Sequence, residues 1–407
     1  MNSRRVVITG FGLLSPLGNT FESNMKALRE GVSGVRAMPD WNLKDLRPRI
    51  GAPVVTVDEK KLPREHRRSM GRLSILAALA SDDAVAMANL SPDFLRSGRV
   101  GASVGQTVGS PSATLGFLDT LTKEGVRAVK STAFFQVMSH SAMANVALHH
   151  GLRGPVFSPA AACASGSQAL GVAFQSIQRG DADVMLAGGT EELHESTAAT
   201  FDVVGGASQK FNDTPHLTPR PFDVSRDGLV VGEGAGIVVL EEMGHAISRG
   251  AKVFGEMLGF ATTCDGEHMS TPSPRGMAET MALALRDAKL KVGDIDYVNA
   301  HATATEAGDC IEAQATGELF GNNVPVSSTK GHTGHTLAAC GALEAIYCLG
   351  MLEGGFIAPT LHLRDVDPRC TAVRHVKEVE ARSLRRVMSN NFAFGGVNTS
   401  LILSAPQ

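Results

Sequence analysis

The sequence predicts an α/β protein built from one fold unit used twice and stacked in five layers, α/β/α/β/α. Val- and Ile-rich runs alternate with Ala- and Leu-rich stretches, and glycine is abundant at 44 of 407 residues. This is the pattern of buried strands covered by helices. The chain also echoes itself. Pro155, Val156, Ser158, Ala169, Gly171 and Gly180 return 170 positions later as Pro325, Val326, Ser328, Ala339, Gly341 and Gly350. Ala78 Leu79 Ala80 with Asp83 Ala84 returns at an offset of 204, as Ala282 Leu283 Ala284 with Asp287 Ala288. The offsets differ by 34, which assigns the first half an insertion of about that size between roughly Val100 and Pro155. The expected organisation is a half spanning 1–250, with a cap inserted at about 106–150, and a half spanning 251–407.

With 43% hydrophobic and 19% charged residues, the chain has the composition of a folded globular protein. A formal charge of −3 gives no overall attraction to nucleic acid or an anionic membrane. The six cysteines include no Cys-x-x-Cys pair, which fits free thiols in a reducing compartment, a cytoplasm by first expectation with an organelle interior as the alternative. Met1 Asn2 Ser3 Arg4 Arg5 leads into Val6 Val7 Ile8, an apolar run too short for a signal segment or a membrane span.

Along the first half, Leu62–Arg72 concentrates positive charge at Arg64, Arg67 and Arg68, and Arg127 and Lys130 add more within the insertion. Such runs are commonly solvated faces, and they also suit an acidic partner. Phe134, Phe135, Val137 and Met138 supply bulky apolar groups in the insertion, where ordinary core packing competes with the lining of an apolar pocket. Ser158 to Ser167 then places Cys163 among Ala, Ser and Gly, just before a helical run that ends near Gly180. At a helix N-terminus the unpaired N–H groups favour thiolate, and the small neighbours leave room for an acyl group. An arbitrary cysteine is more often inert core, and the small-residue surround is what moves the reading.

In the second half, Ile295–Ala300 reads as a strand ending at His301, where catalytic groups gather in α/β folds, although such a histidine is as often structural. Ser327 to His335 is the counterpart of the cysteine loop. At the 170 offset Thr333 aligns with Cys163, and His335 is carried towards the same pocket. Met388 to Asn398 is a glycine-rich turn before Leu401 Ile402 Leu403, with amides that could serve an oxyanion. Gly10 Phe11 Gly12 after a strand lacks the third glycine and the ribose-binding acid of a dinucleotide turn. A zinc site of Cys163, His301 and His335 lacks paired-cysteine spacing, so no metal is expected.

Together, Ala162 Cys163 Ala164 Ser165 Gly166, Asn299 Ala300 His301, Thr329 Lys330 with Thr333 Gly334 His335, and Asn391 Phe392 with Phe394 Gly395 Gly396 resemble the β-ketoacyl synthase family, whose fold is thiolase-like. The similarity runs from Val6 to Leu403 and is nearest the bacterial type I synthases. It implies a Cys163, His301, His335 triad, with Lys330 and Glu344 supporting the histidines. It also implies an oxyanion hole from the Cys163 and Phe394 amides, Phe394 gating the acyl pocket that Phe392 borders, and Thr303 and Thr305 meeting a phosphopantetheine arm. That arm belongs to an acyl carrier protein substrate, so no separate cofactor is implied. The implied reaction is a decarboxylative condensation of an acyl-enzyme with malonyl carrier in fatty-acid elongation, by a homodimer. Specialised-lipid or polyketide synthesis is the alternative within the family. A thiolase would carry a second cysteine where Phe394 stands, an initiating synthase an asparagine in place of His335, and a non-catalytic chain-length factor would have lost Cys163. Ala302, Ala393, Asn391 and Val397 depart from the commonest family residues.

Overall fold

A computed structural model describes residues 4–406; Met1–Ser3, which open the stretch read for a leader, and Gln407 lie outside it. Ten strands form the core. The first five are β1 (Val6–Leu14), β2 (Val100–Gly105), β3 (Val156–Phe157), β4 (Val184–Glu191) and β5 (Gly234–Glu242). The second five are β6 (Gly255–Cys264), β7 (Tyr297–Asn299), β8 (Pro325–Ser327), β9 (Arg386–Ala393) and β10 (Val397–Ser404). They lie in the order β3-β2-β4-β5-β1 and, repeating it, β8-β7-β9-β10-β6. In each set three neighbours run parallel and the remaining two pair antiparallel. The sets join where Val6, Val7 and Ile8 of β1 meet Met257, Glu256 and Gly255 of β6.

The layers come from helices α1 (Arg72–Met87), α2 (Pro111–Lys123), α3 (Ser131–Val137), α4 (Ser141–His150), α5 (Ser165–Arg179), α6 (Pro274–Asp287), α7 (Glu306–Phe320) and α8 (Cys340–Gly354). Helices α5 and α8 fill the middle layer, α1 and α4 cover the first set of strands, and α6 and α7 cover the second. β1 is buried along all nine residues, which explains its unbroken apolar sequence. Helix α8, with the turn before it, is long and apolar enough to pass for a membrane span, yet Cys340 to Leu352 are all buried by the protein itself.

The repeat is visible atom by atom. A Cβ on Gly10 would fall 2.5 Å from the Ala84 carbonyl oxygen and 2.9 Å from Ala88 Cβ. On Gly259 it would meet Ala284 and Ala288 in the same way, at 2.7 and 2.8 Å. These helices therefore match at an offset of 200, and the alignment at 204 is displaced by about one helical turn. The 170 offset holds for Val156 and Val326 in the last parallel strands of the two sets. It then fails because the following loop is longer in the second half. Ala162 and Leu337 share a left-handed backbone (φ 45° and 47°), as do the helix-ending Gly180 and Gly355. The counterpart of Cys163 is thus Ala338, not Thr333. The longer connection in the first half covers residues 106–155 against 300–324, and its additional elements are α2 and α3. Helix α4 packs on α1 and β2, the position that α7 takes beside α6 in the second half.

Candidate active site

Cys163 lies in a single 3-10 turn, Ala162–Ala164, between β3 and α5. Ser165 ties this turn together: its hydroxyl accepts from the Ala161 N–H at 2.9 Å and donates to the Ala162 carbonyl at 2.7 Å. A left-handed alanine costs about 1–2 kcal/mol, so the conformation before Cys163 is held by its surroundings. The two homologous turns cross in the middle layer, where a Cβ on Gly166 would sit 2.4 Å from the Ala338 oxygen.

His335 comes from the other half. Its N–H donates to the Val230 carbonyl at 2.7 Å and its carbonyl accepts from Gly232 N–H at 2.8 Å. That places Nε2 2.9 Å from Cys163 Sγ. His301 follows β7, and its ring stands edge-on to His335 with centroids 5.2 Å apart. Glu312 of α7 fixes the turn there, accepting from the N–H groups of His301 at 2.7 Å and Ala302 at 2.6 Å. Behind the rings Lys330 and Glu344 form a buried ion pair. Asn391 donates to the other Glu344 oxygen at 2.8 Å and faces His301 Nδ1 at 3.4 Å.

Burial governs the protonation of this cluster. It pushes the Cys163 thiol up to about 12, against the pull of Lys330. Burial and the Lys330 charge hold both His301 and His335 well below the ordinary imidazole value, so both rings are neutral near pH 7. Burial also works against the Lys330 charge, but Glu344 and Cys340 outweigh it and keep the ammonium protonated. The ligand atoms of Cys163, His301 and His335 lie within 4.8 Å of one another. Their spacing would admit a cation, and the adjacent Lys330 charge opposes one.

A cavity of about 320 Å³ opens over these three residues. Thr303 and Thr305 line it with their hydroxyl oxygens 3.2 Å apart, and Arg226 ties their loop by donating to the Thr305 carbonyl at 3.1 Å. Phe392 and Phe394 line it too; Phe394 is 42% exposed and its ring lies 6.0 Å from Phe201. The Cys163 and Phe394 N–H groups have no hydrogen-bond partner among the described residues. Phe135 and Met138 do not line this cavity. They belong to the α3 region, Phe135 is 44% exposed, and neighbouring Gln136 bonds the Arg68 and Met70 carbonyls. The insertion therefore does not cap this opening of the site. Arg64, Arg68, Arg127 and Lys130 are exposed, whereas Arg67 is half-buried and paired with Glu59 at 3.1 Å.

The sequence reading missed Glu312, the bridging position of Asn391, and Glu191. The Glu191 carboxylate accepts from Ala338 N–H at 3.2 Å and from the Thr107 hydroxyl at 2.9 Å. One signal was present. Asp309 and Glu312 fall three apart on a helix face that also buries Ala313 and Thr316, and acids on such a face need partners.

A family model described as "Beta-ketoacyl synthase, N-terminal domain" matches residues 3–246, and "Beta-ketoacyl synthase, C-terminal domain" matches 254–364. The 3-oxoacyl-[acyl-carrier-protein] synthase 1 of Haemophilus influenzae is 38% identical over 402 residues, 98% of each chain. The 3-oxoacyl-[acyl-carrier-protein] synthase 2 of Synechocystis is 35% identical and covers 100% of this chain and 99% of that one. Among solved structures, a beta-ketoacyl synthase from Burkholderia phymatum superposes with a TM-score of 0.96 at 45% identity, over 99% of this chain and 100% of that one. A type II PKS ketosynthase in complex with its acyl-carrier protein superposes at 0.89 and 27% identity, over 100% of both chains.

Proposed function

The chain belongs to the β-ketoacyl synthase family and is a condensing acyltransferase, and from that premise we propose how its own residues run the reaction. The hydrogen bond between Cys163 Sγ and His335 Nε2 carries this reading. A buried thiol near 12 is a poor nucleophile unless a base takes its proton as the new bond forms, and a neutral His335 is placed to do so. Sγ attacks the thioester carbonyl of an incoming acyl group, whose oxygen becomes an oxyanion between the Cys163 and Phe394 N–H groups. The carrier thiol leaves with a proton, and the acyl group remains on Cys163.

A malonyl thioester then takes the cavity. Its carboxylate departs as carbon dioxide, and the electron pair left behind forms an enolate whose oxygen accepts hydrogen bonds from His301 and from His335, whose single ring proton has moved to Nε2 by exchange with solvent once Cys163 is acylated. Neutral imidazoles held in place by Glu312 and by Val230 suit that role. The enolate carbon attacks the acyl-cysteine carbonyl, the C–S bond breaks, and a 3-oxoacyl thioester two carbons longer leaves as the Sγ thiolate takes a proton from solvent.

We assign the carrier role to an acyl carrier protein. Thr303 and Thr305 offer hydroxyls to a phosphopantetheine arm, and the exposed Arg64, Arg68, Arg127 and Lys130 offer charge to an acidic surface. A homodimer suits the exposed edge Val156 and the exposed Phe134 and Phe135. The free cysteines support a reducing, cytoplasmic setting. Incubation with acyl-carrier and malonyl-carrier tests the assignment: the parent enzyme releases carbon dioxide and forms the 3-oxoacyl product. Cys163→Gln loses condensation and keeps decarboxylation. Acylation persisting in Cys163→Ala, or unchanged decarboxylation in both His301→Ala and His335→Ala, would overturn it.

A further inference from the structure

We propose that Asn391 fixes the tautomer of His301, so that an N–H rather than a lone pair is presented to the reacting oxygen; this rests on reading His301 as an enolate-binding group. The side chain is fully buried, and its amide is oriented by its neighbour. Nδ2 lies 2.8 Å from Glu344 Oε2, a carboxylate that only accepts, and Glu344 is held in turn by Lys330. Turning the amide over would set oxygen against oxygen. The orientation leaves Asn391 Oδ1 without a hydrogen-bond partner among the described residues, facing the start of α8 where a Cβ on Gly341 would come within 2.7 Å. A buried amide oxygen is costly to strand, so the nitrogen end dictates the pose.

An NH₂ group has two hydrogens. One goes to Glu344. The other faces His301 Nδ1 at 3.4 Å and is shared with Cys340 Sγ, also at 3.4 Å. A donor facing Nδ1 requires a lone pair there, and a neutral imidazole with a lone pair on Nδ1 carries its proton on Nε2. Nε2 is the nitrogen left for the cavity. The charged and titratable groups around the ring, Lys330, Glu344, Glu312, Cys340, Cys163 and His335, include no competing acceptor bonded to Nδ1. Asn391 thus acts through His301 as a positioning residue.

Nitrogen–proton correlation NMR on the full-length enzyme with labelled histidine reads the tautomer directly. The expected result is a protonated Nε2 and a bare Nδ1 for His301, the signal being assigned by its loss in His301→Gln. Asn391→Leu, similar in volume and without donors, should mix the tautomers. It should also slow malonyl-carrier decarboxylation by roughly tenfold or more in kcat with little change in KM. A proton on Nδ1 in the parent enzyme overturns the proposal whether or not the variant folds. So does a folded Asn391→Leu with the parental tautomer and rate. If instead the tautomer is as stated and His301→Ala decarboxylates at the parental rate, the enolate role of His301 fails and the tautomer assignment stands.

Discussion

Glu191 occupies, at Ala338, the place that a substrate oxygen would take at Cys163, and it does so as a buried acid. Burial pushes its carboxyl from 4.5 up to about 8 despite hydrogen bonds from Thr107 and Ala338. The folded value lies above the unfolded one, so its contribution to stability is whole below about 4.5 and is lost as the pH rises towards 8. Buried histidines act in the opposite direction. His301 and His335 lie below the imidazole value of 6.5 and His332 near 4, so their contribution is lost as the pH falls below 6.5. Glu191→Gln keeps an acceptor for Ala338 and removes the alkaline loss. Its melting temperature should exceed the parent's at pH 8, and the difference should shrink towards pH 5. A difference independent of pH would contradict this assignment. Cys163, His301, Lys330 and His335 stood out in the sequence because each lies in a short local motif. Glu191 did not, and Asn391 showed only as a departure from the family residue, because what they touch is brought to them from far along the chain; Glu312 lies close to His301 in sequence but carries no motif of its own.

The packing of α5 against α8 sets the limits at the level of elements. Gly166 and Gly341 lie where the two turns pass, and a Cβ on Gly341 would come 2.7 Å from Ser167 N, against 2.4 Å to the Ala338 oxygen on Gly166. The obstructing atoms are backbone and cannot swing aside. Gly166→Ala should therefore destabilise by about 1–3 kcal/mol and draw Cys163 away from His335. Denaturant unfolding beside the rate of acyl-enzyme formation checks both, and unchanged values would show that the turns have slack. The alternation of strands and helices was legible from composition and periodicity. The register between the halves was not, because loops lengthen without altering strand or helix patterns, and common Ala and Gly then match by chance. That is why Thr333 stood in for Ala338. The side of the insertion that faces the cavity was equally hidden: Phe135 and Met138 are apolar, but no periodicity tells one apolar surface from another.

At the scale of the whole molecule, exposed Arg64 and Arg68 lie in one segment and exposed Arg127 and Lys130 in another, and α3, which follows the second, bonds to the first through Gln136. Reversing Arg68 and Arg127 should raise KM for carrier-linked substrate well beyond that for a small pantetheine thioester, and added salt should narrow the gap, since exposed charges are screened beyond about 10 Å at 0.1 M. Equal losses on both substrates would place these residues in folding instead. Cys163 belongs to the first half of the chain, whereas His301, Lys330, His335 and Glu344 belong to the second. The second half retains the left-handed residue and the 3-10 turn of the first but holds Ala338 in place of sulfur and Glu191 in place of a guest. Ala338 offers no nucleophile and Glu191 already accepts from its N–H, so the molecule carries within itself an inert twin of its own reactive centre.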